Sequence, residues 1–170
     1  MVRLSQSGTM RDSAQAPPRR FRAQQTIALD RPCFRWRATS GPFGCISILD
    51  ELNDGVAGLS VSLFARIPLF RETGGGALLK GEAMRYLAEL AWAPDAILQN
   101  ESLGWRVLDG ERLEVSVVTK DVRAAVEFAL DSKGRLASVF APDRPRKEKA
   151  GFVERPWRGR FFDYRRHGGR

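Results

Sequence analysis

A single stretch of helical periodicity, Gly81 to Pro94, constrains the fold most, because the rest of the chain has the periodicity of short strands. Residues at i, i+3 and i+4 spacing define two different faces of this helix. The apolar face consists of Met84, Leu87, Ala88 and Ala91, and the polar face of Glu82, Arg85, Tyr86 and Glu89. The sequence therefore predicts one principal helix, spanning about residues 77 to 92.

The other segments alternate polar and apolar residues between turn signals, a pattern typical of antiparallel strands. The strongest turns are Asn53-Asp54-Gly55, Asp109-Gly110 and Asp131 to Gly134. We expect about nine or ten strands, with the helix between the fifth and sixth. The predicted fold is mainly β (β-rich α+β): an antiparallel, strongly curved sheet or half-barrel with the helix packed on its concave side. The 170 residues are expected to form a single domain, 1–170.

Charge and hydropathy limit the class of protein and its location. The N-terminus lacks the apolar core of a signal peptide, and no apolar run is long enough to span a membrane, so we expect a soluble, cytoplasmic protein. The net charge of +8 is concentrated in the basic C-terminal segment 144–170, which has ten Lys/Arg against three Asp/Glu. Such a segment is typical of a solvated tail or of a phosphate-facing surface.

The sequence contains no motif for a cofactor or a metal ion. Cys33 and Cys45 flank a predicted hairpin in which Trp36 pairs with Ile46, and this register keeps the two thiols too far apart for a disulfide. The chain has one histidine, His167, and no Cys-x-x-Cys. Gly74 to Gly76 lacks the flanking residues of a phosphate-binding loop. We therefore expect no metal and no cofactor.

The polar helix face has two possible environments. Glu82, Arg85 and Glu89 can form ion pairs on a solvated face. Alternatively, they face the hollow of the sheet and pair with Arg144 or Arg146. Tyr86 and Trp92 then line the same hollow, or else belong to the core.

Two further segments combine groups that could bind a ligand. Asp143-Arg144-Pro145-Arg146 follows a strand and is either a polar loop or an acid with two guanidinium groups. Residues 155–166 interleave aromatic residues with arginines, as surfaces for single-stranded nucleic acid do, but an amphipathic terminal strand has the same pattern. A nucleic-acid partner is thus a weaker alternative.

The sequence resembles an uncharacterised bacterial family, a domain of unknown function. The residues that carry the resemblance are Glu82-x-x-Arg85-Tyr86-Leu87-Ala88-Glu89-Leu90-x-Trp92-x-Pro94, the later Asp143-Arg144, Pro156-Trp157 and Asp163-Tyr164, and the upstream Gln6-x-Gly8-x-Met10 and Phe34-x-Trp36-x-Ala38. The shared register of the helix charges with Tyr86 and Trp92 favours the inward orientation. The resemblance also implies a chain that is shortened at its C-terminus relative to other members.

Two functions are compatible with these features. The first is non-enzymatic binding of an apolar or amphipathic, lipid-like small molecule in a hollow between the helix and the sheet. The alternative is an acid–base enzyme that acts on an anionic substrate, with a glutamate as base and an arginine as anchor. The candidate ligand-binding residues are Glu82, Arg85, Tyr86, Glu89, Trp92, Asp143 and Arg144.

Overall fold

The computed structural model describes residues 1–11 and 15–165, and these residues are mostly in strands. Strands account for 57% of them and helices for 16%. Two antiparallel sheets and one main helix confirm the predicted β-rich, half-barrel class, and the sheets do not close into a barrel. His167 and the terminal Gly168 to Arg170 lie outside the described residues.

The first sheet contains six strands that follow one another in sequence order, each antiparallel to the next. The strands are β1 (Val2–Met10), β2 (Arg19–Ile27), β3 (Phe34–Ser40), β4 (Ile46–Asn53), β5 (Val56–Leu63) and β6 (Ile67–Thr73). Alternating burial along β3 shows why this segment forms a strand: one set of side chains enters the core and the other faces solvent. The β1 and β6 strands form the two edges of this sheet.

The second sheet contains five strands in the order β11-β10-β9-β8-β7. The strands are β7 (Gly104–Val107), β8 (Arg112–Thr119), β9 (Val122–Leu130), β10 (Leu136–Glu148) and β11 (Gly151–Arg160). A register shift between Ala141 and Arg144 marks a bulge in β10. Beyond Phe140, β10 pairs with β11 alone.

The main helix, α1 (Gly76–Ala88), lies between the two sheets. It continues as a 3-10 turn (Glu89–Trp92) and is followed by the short helix α2 (Pro94–Gln99). The α1 helix contacts β8, β9 and β10 of the second sheet and β4 and β5 of the first. It is therefore buried on more than one face, and nine of its thirteen residues are buried. None of the helices among the described residues is long and apolar enough to cross a membrane.

The predicted number of strands and the predicted position of the helix were wrong. The described residues form eleven strands, and α1 follows the sixth. In the sequence, Arg66-Ile67-Pro68 predicts the end of a strand, but Pro68 lies in β6, an edge strand, where a missing N–H removes no necessary ladder bond. The charged segment from Pro142 to Gly151 is interrupted by prolines and so predicts a break between strands, yet most of it belongs to β10. Its prolines lie where β10 has a neighbour on one side only.

The predicted register of the β3–β4 hairpin was also wrong. Trp36 pairs with Asp50 rather than with Ile46, because the connection includes a 3-10 turn at Pro42–Gly44 and the strand begins only at Ile46. Cys33 and Cys45 are both free thiols, in agreement with the expected absence of a disulfide between them.

The all-round burial of α1 leads to a prediction about stability. Leu87→Ala removes a fully buried side chain of α1, so it should lower the free energy of unfolding by about 2–5 kcal/mol. Leu98→Ala, the same change on α2 at a side chain that is 86% exposed, should cost less than about 0.5 kcal/mol. Urea unfolding of both variants measures the difference, and equal losses would contradict the position of α1.

Candidate functional site

The charged face of α1 points towards the first sheet, where Arg85 forms two ion pairs. Its guanidinium pairs with Asp50 of β4, and its Nε lies 2.9 Å from Glu89 Oε1. The same guanidinium lies over the rings of Phe34 and Trp36, 5.0 and 4.9 Å from their centroids. Glu82 and Glu89 are thus buried and Arg85 is half-buried, as the inward alternative predicted. The predicted pairing with Arg144 or Arg146 was wrong, because Asp50 of β4 and Glu89 take the guanidinium of Arg85. The apolar residues of the helix are buried as well.

A chain of hydrogen bonds extends from Glu89 across three strands of the first sheet. Gln25 of β2 donates from Nε2 to Glu89 Oε2. Gln6 of β1 donates to Gln25 Oε1 over 2.6 Å, and Trp36 of β3 donates from Nε1 to Gln6 Oε1 over 2.8 Å. Both oxygens of Glu89 therefore have partners, which is the arrangement that a buried carboxylate requires.

Glu82 differs from Glu89, because its carboxyl is buried without comparable partners. Glu82 Oε2 and Asp50 Oδ1 are buried oxygens that lack a hydrogen-bond partner among the described residues. Burial, and next the charge of Asp50, raise the pKa of Glu82 to about 8, although Arg85 and Arg144 oppose the shift. At neutral pH Glu82 therefore carries a proton, which it can donate towards Asp50.

This proton limits the negative charge buried in the site. The carboxylates of Asp50 and Glu89 already share the guanidinium of Arg85, and among the described residues neither of them forms an ion pair with Arg144. Ionising Glu82 would add a net negative charge in a site that has little access to water.

Arg144 of β10 is a half-buried cation. It follows the bulge of β10, and its guanidinium lies over the ring of Trp157 on β11, 4.8 Å from the centroid. Burial lowers the pKa of Arg144, and the nearby Glu82 carboxyl opposes this shift. Within residues 1–11 and 15–165 its guanidinium makes no ion pair.

A pocket of about 370 Å³ opens beside Glu82 and Arg144. It lies between the first half of α1, the edge strand β6 with its neighbour β5, and the edge strand β11 with its neighbour β10. Its apolar walls include Leu59, Phe70, Leu78, Phe152 and Trp157, and its basic residues besides Arg144 are Arg146, Lys147 and Arg155. Lys147 Nζ pairs with Glu72 Oε2 over 2.8 Å and so joins β10 to β6.

Of the sequence-predicted site residues, Glu82 and Arg144 line this pocket. Arg85 and Glu89 instead pair with each other and with the first sheet. Tyr86 is fully buried, and its hydroxyl donates to the Ala28 carbonyl over 3.3 Å and accepts from Asn100 Nδ2 over 2.9 Å.

The two remaining candidates, Trp92 and Asp143, lie outside the pocket. Trp92 is partly exposed and packs edge-on against Phe161, with ring centroids 5.8 Å apart. Asp143 accepts from Lys80 Nζ over 2.5 Å, and the same amine bonds Glu154 over 2.6 Å. Lys80 is therefore paired with two carboxylates, one on β10 and one on β11.

Sequence reasoning missed Asp50 as a partner of the helix. Asp50 lies on the inward face of β4 together with Ile48 and Leu52. The alternation of residues along this strand is the sequence signal that could have identified Asp50 as an inward-facing carboxylate. Among the described residues no group of three or more His, Cys, Asp or Glu side chains is arranged to hold a metal ion.

Removal of Arg85 tests the energetic role of the buried ion pairs. Arg85→Ala leaves Asp50 and Glu89 buried without their cation, so the free energy of unfolding should fall by about 3–5 kcal/mol. Arg123→Ala removes an exposed arginine paired with Glu114 and should cost about 0–1 kcal/mol. Thermal unfolding of the two variants checks this, and equal melting temperatures would show that the Arg85 pairs contribute nothing.

The raised pKa of Glu82 makes stability depend on pH. Between its ordinary value of 4.5 and about 8, the folded protein holds a proton that the unfolded chain has lost. Stability should therefore decrease as pH rises through this window, by at most about 1.4 kcal/mol per pH unit. Glu82→Gln should remove this slope, as measured by urea unfolding at several pH values.

A second carboxyl provides the control for this slope. Arg106 holds the pKa of Glu114 below its usual range, so Glu114 titrates outside the window and Glu114→Gln should keep the slope of the wild-type protein. If the stability of the wild-type protein, Glu82→Gln and Glu114→Gln depended on pH equally, Glu82 would have to be ionised in the folded protein.

The comparisons with known proteins identify a family but no activity. No curated protein matches the sequence significantly. No solved structure does so either. A family of unknown function, DUF6544, matches residues 1–170, in agreement with the resemblance to an uncharacterised family seen in the sequence. The chain therefore belongs to the DUF6544 family of unknown function.

Proposed function

We propose that the pocket between α1 and the two sheet edges binds an anionic, amphipathic small molecule. The observation that supports this most directly is Arg144, a half-buried guanidinium that has no carboxylate partner among the described residues and lines the pocket beside apolar side chains. Burying a cation without an anion is costly. An anionic ligand at this position would supply the missing partner.

The pocket walls suit the apolar part of such a molecule. Its volume of about 370 Å³ lies within the range of small-molecule sites, roughly 300–1,000 Å³. Leu59 and Phe70 of the first sheet and Phe152 of the second provide apolar surface on opposite sides. Each methylene group transferred from water to such a wall contributes about 0.8 kcal/mol.

The polar end of the pocket suits a carboxylate or phosphate head group. The planar guanidinium of Arg144 can donate two parallel hydrogen bonds to either group, and stacking on Trp157 holds its plane. Glu82, protonated at neutral pH, offers a donor rather than a repelling charge. Arg146 adds an attractive field for an anion, whereas Lys147 and Arg155 are ion-paired with Glu72 and Glu148.

Native mass spectrometry with dodecanoate tests the proposal. The wild-type protein should bind dodecanoate and bind dodecanol, its neutral analogue, more weakly. Arg144→Met removes the charge but keeps an apolar chain, so it should weaken dodecanoate binding at least about tenfold, because a charged hydrogen bond contributes about 1.5–3 kcal/mol. Arg123→Met, on an exposed part of β9, should bind like the wild-type protein. Equal binding by both variants would refute the assignment of Arg144.

An acid–base enzyme is the second candidate, and one observation favours it. Glu82 combines a pKa of about 8 with a position in the pocket wall, beside an arginine that can hold an anion. In this function Glu82 donates a proton to the bound substrate, and Arg144 holds the substrate in position. Recovery of a bound molecule with an altered mass would distinguish turnover from binding.

A further inference from the structure

Two neighbouring turns at one end of the first sheet expose phenylalanines. The β3–β4 connection carries Phe43, which is fully exposed, and the β5–β6 turn carries Phe64, which is 66% exposed. The turns are adjacent, because Ile46 pairs with Leu63 and the Phe64 amide donates to the Cys45 carbonyl over 2.6 Å. We call the turns at residues 41–45 and 64–66 the tip surface.

The backbone at these positions gives no structural reason for a phenylalanine. Phe43 and Phe64 have φ angles of 54° and 52°, in the left-handed region that Gly and Asn adopt most easily. Ala65, with a φ of 56°, completes a two-residue turn for which Asn-Gly is the favoured sequence. Neither ring belongs to the hydrophobic core. The fold therefore tolerates these side chains at some cost and gains no packing from them.

Charge at this end of the sheet is positive. Arg20 and Arg22 at the start of β2 and Arg66 in the second turn are exposed and form no ion pair among the described residues. No Asp or Glu occurs in the described segments 10–11, 15–22, 39–47 and 62–68. At the opposite end of the sheet, by contrast, Arg31 is matched by Asp30 and Asp54.

We propose that the tip surface docks on an anionic phospholipid membrane. Phe43 and Phe64 insert at the boundary between head groups and acyl chains, and Arg20, Arg22 and Arg66 contact the phosphates. Two projecting turns suit insertion into lipid better than they suit a protein partner, which needs a flat area of roughly 800 Å² per side. The inference concerns a surface outside the pocket and does not depend on the ligand proposed above.

The tip surface is also continuous with the pocket. Leu63 and Ile67 pair beside the turn, and Leu59 and Phe70 of the same two strands line the pocket. Neither Leu63 nor Ile67 is part of the hydrophobic core or among the residues packed against it. An apolar strip on β5 and β6 thus connects a docked membrane with the opening beside Arg144.

Vesicle flotation of the full chain tests the docking. The wild-type protein should float with vesicles of phosphatidylcholine and about one third phosphatidylglycerol, bind pure phosphatidylcholine much more weakly, and be released by about 0.5 M salt. Phe43→Asn/Phe64→Asn should reduce binding at least tenfold while keeping or raising the melting temperature, because Asn suits both turn positions. Arg20→Gln/Arg66→Gln should reduce binding to the anionic vesicles by about fivefold for each arginine removed.

Matched controls remove equivalent groups elsewhere. Leu98→Asn/Val118→Asn deletes two exposed apolar side chains, and Arg112→Gln/Arg123→Gln deletes two exposed arginines of the second sheet. Both should bind the anionic vesicles like the wild-type protein. Absence of wild-type binding, unchanged binding by the phenylalanine variant, or equal losses in the controls would overturn the proposal. A dimeric wild-type protein that becomes monomeric in the phenylalanine variant would overturn it too, by assigning the surface to a second copy of the chain.

Discussion

The ion pairs of Arg85 hold a charged helix face inside a β-rich fold. Most buried helices place apolar residues on every face, but α1 presents a guanidinium to Asp50 of the first sheet. Removing these charged groups from water costs free energy. The ion pairs with Asp50 and Glu89 offset this cost only when both carboxylates are aligned with the guanidinium of Arg85. The strand register that places Asp50 opposite Trp36 is therefore coupled to the orientation of the helix.

The proton on Glu82 links this structural core to the pocket. Glu82 shares its environment with Asp50 on one side and lines the pocket on the other. An anion bound at Arg144 would add a negative charge near Glu82 and hold its pKa higher still. Ligand binding and protonation of Glu82 should therefore favour one another, so that binding weakens as pH rises past about 8.

The sequence predicted those features that depend on local periodicity. It located α1 and the β-rich class, because the spacing of residues along a strand or helix determines their faces. It failed at Pro68 and at Pro142, because a proline is tolerated when one side of its strand is unpaired, and pairing depends on distant segments. It also failed for Asp50, whose partner lies 35 residues away on another element.

The position of the pocket follows from the failure of the two sheets to close. The edges formed by β6 and β11 face the first half of α1, and unpaired sheet edges usually need to be covered. Here one ion pair, Lys147 with Glu72, bridges from β10 to β6, and the bulge of β10 turns Arg144 into the space that remains. Extending the sheets to close this gap would bury Arg144 with no room for an anion. The open edge is thus the structural feature on which any binding function of this site depends.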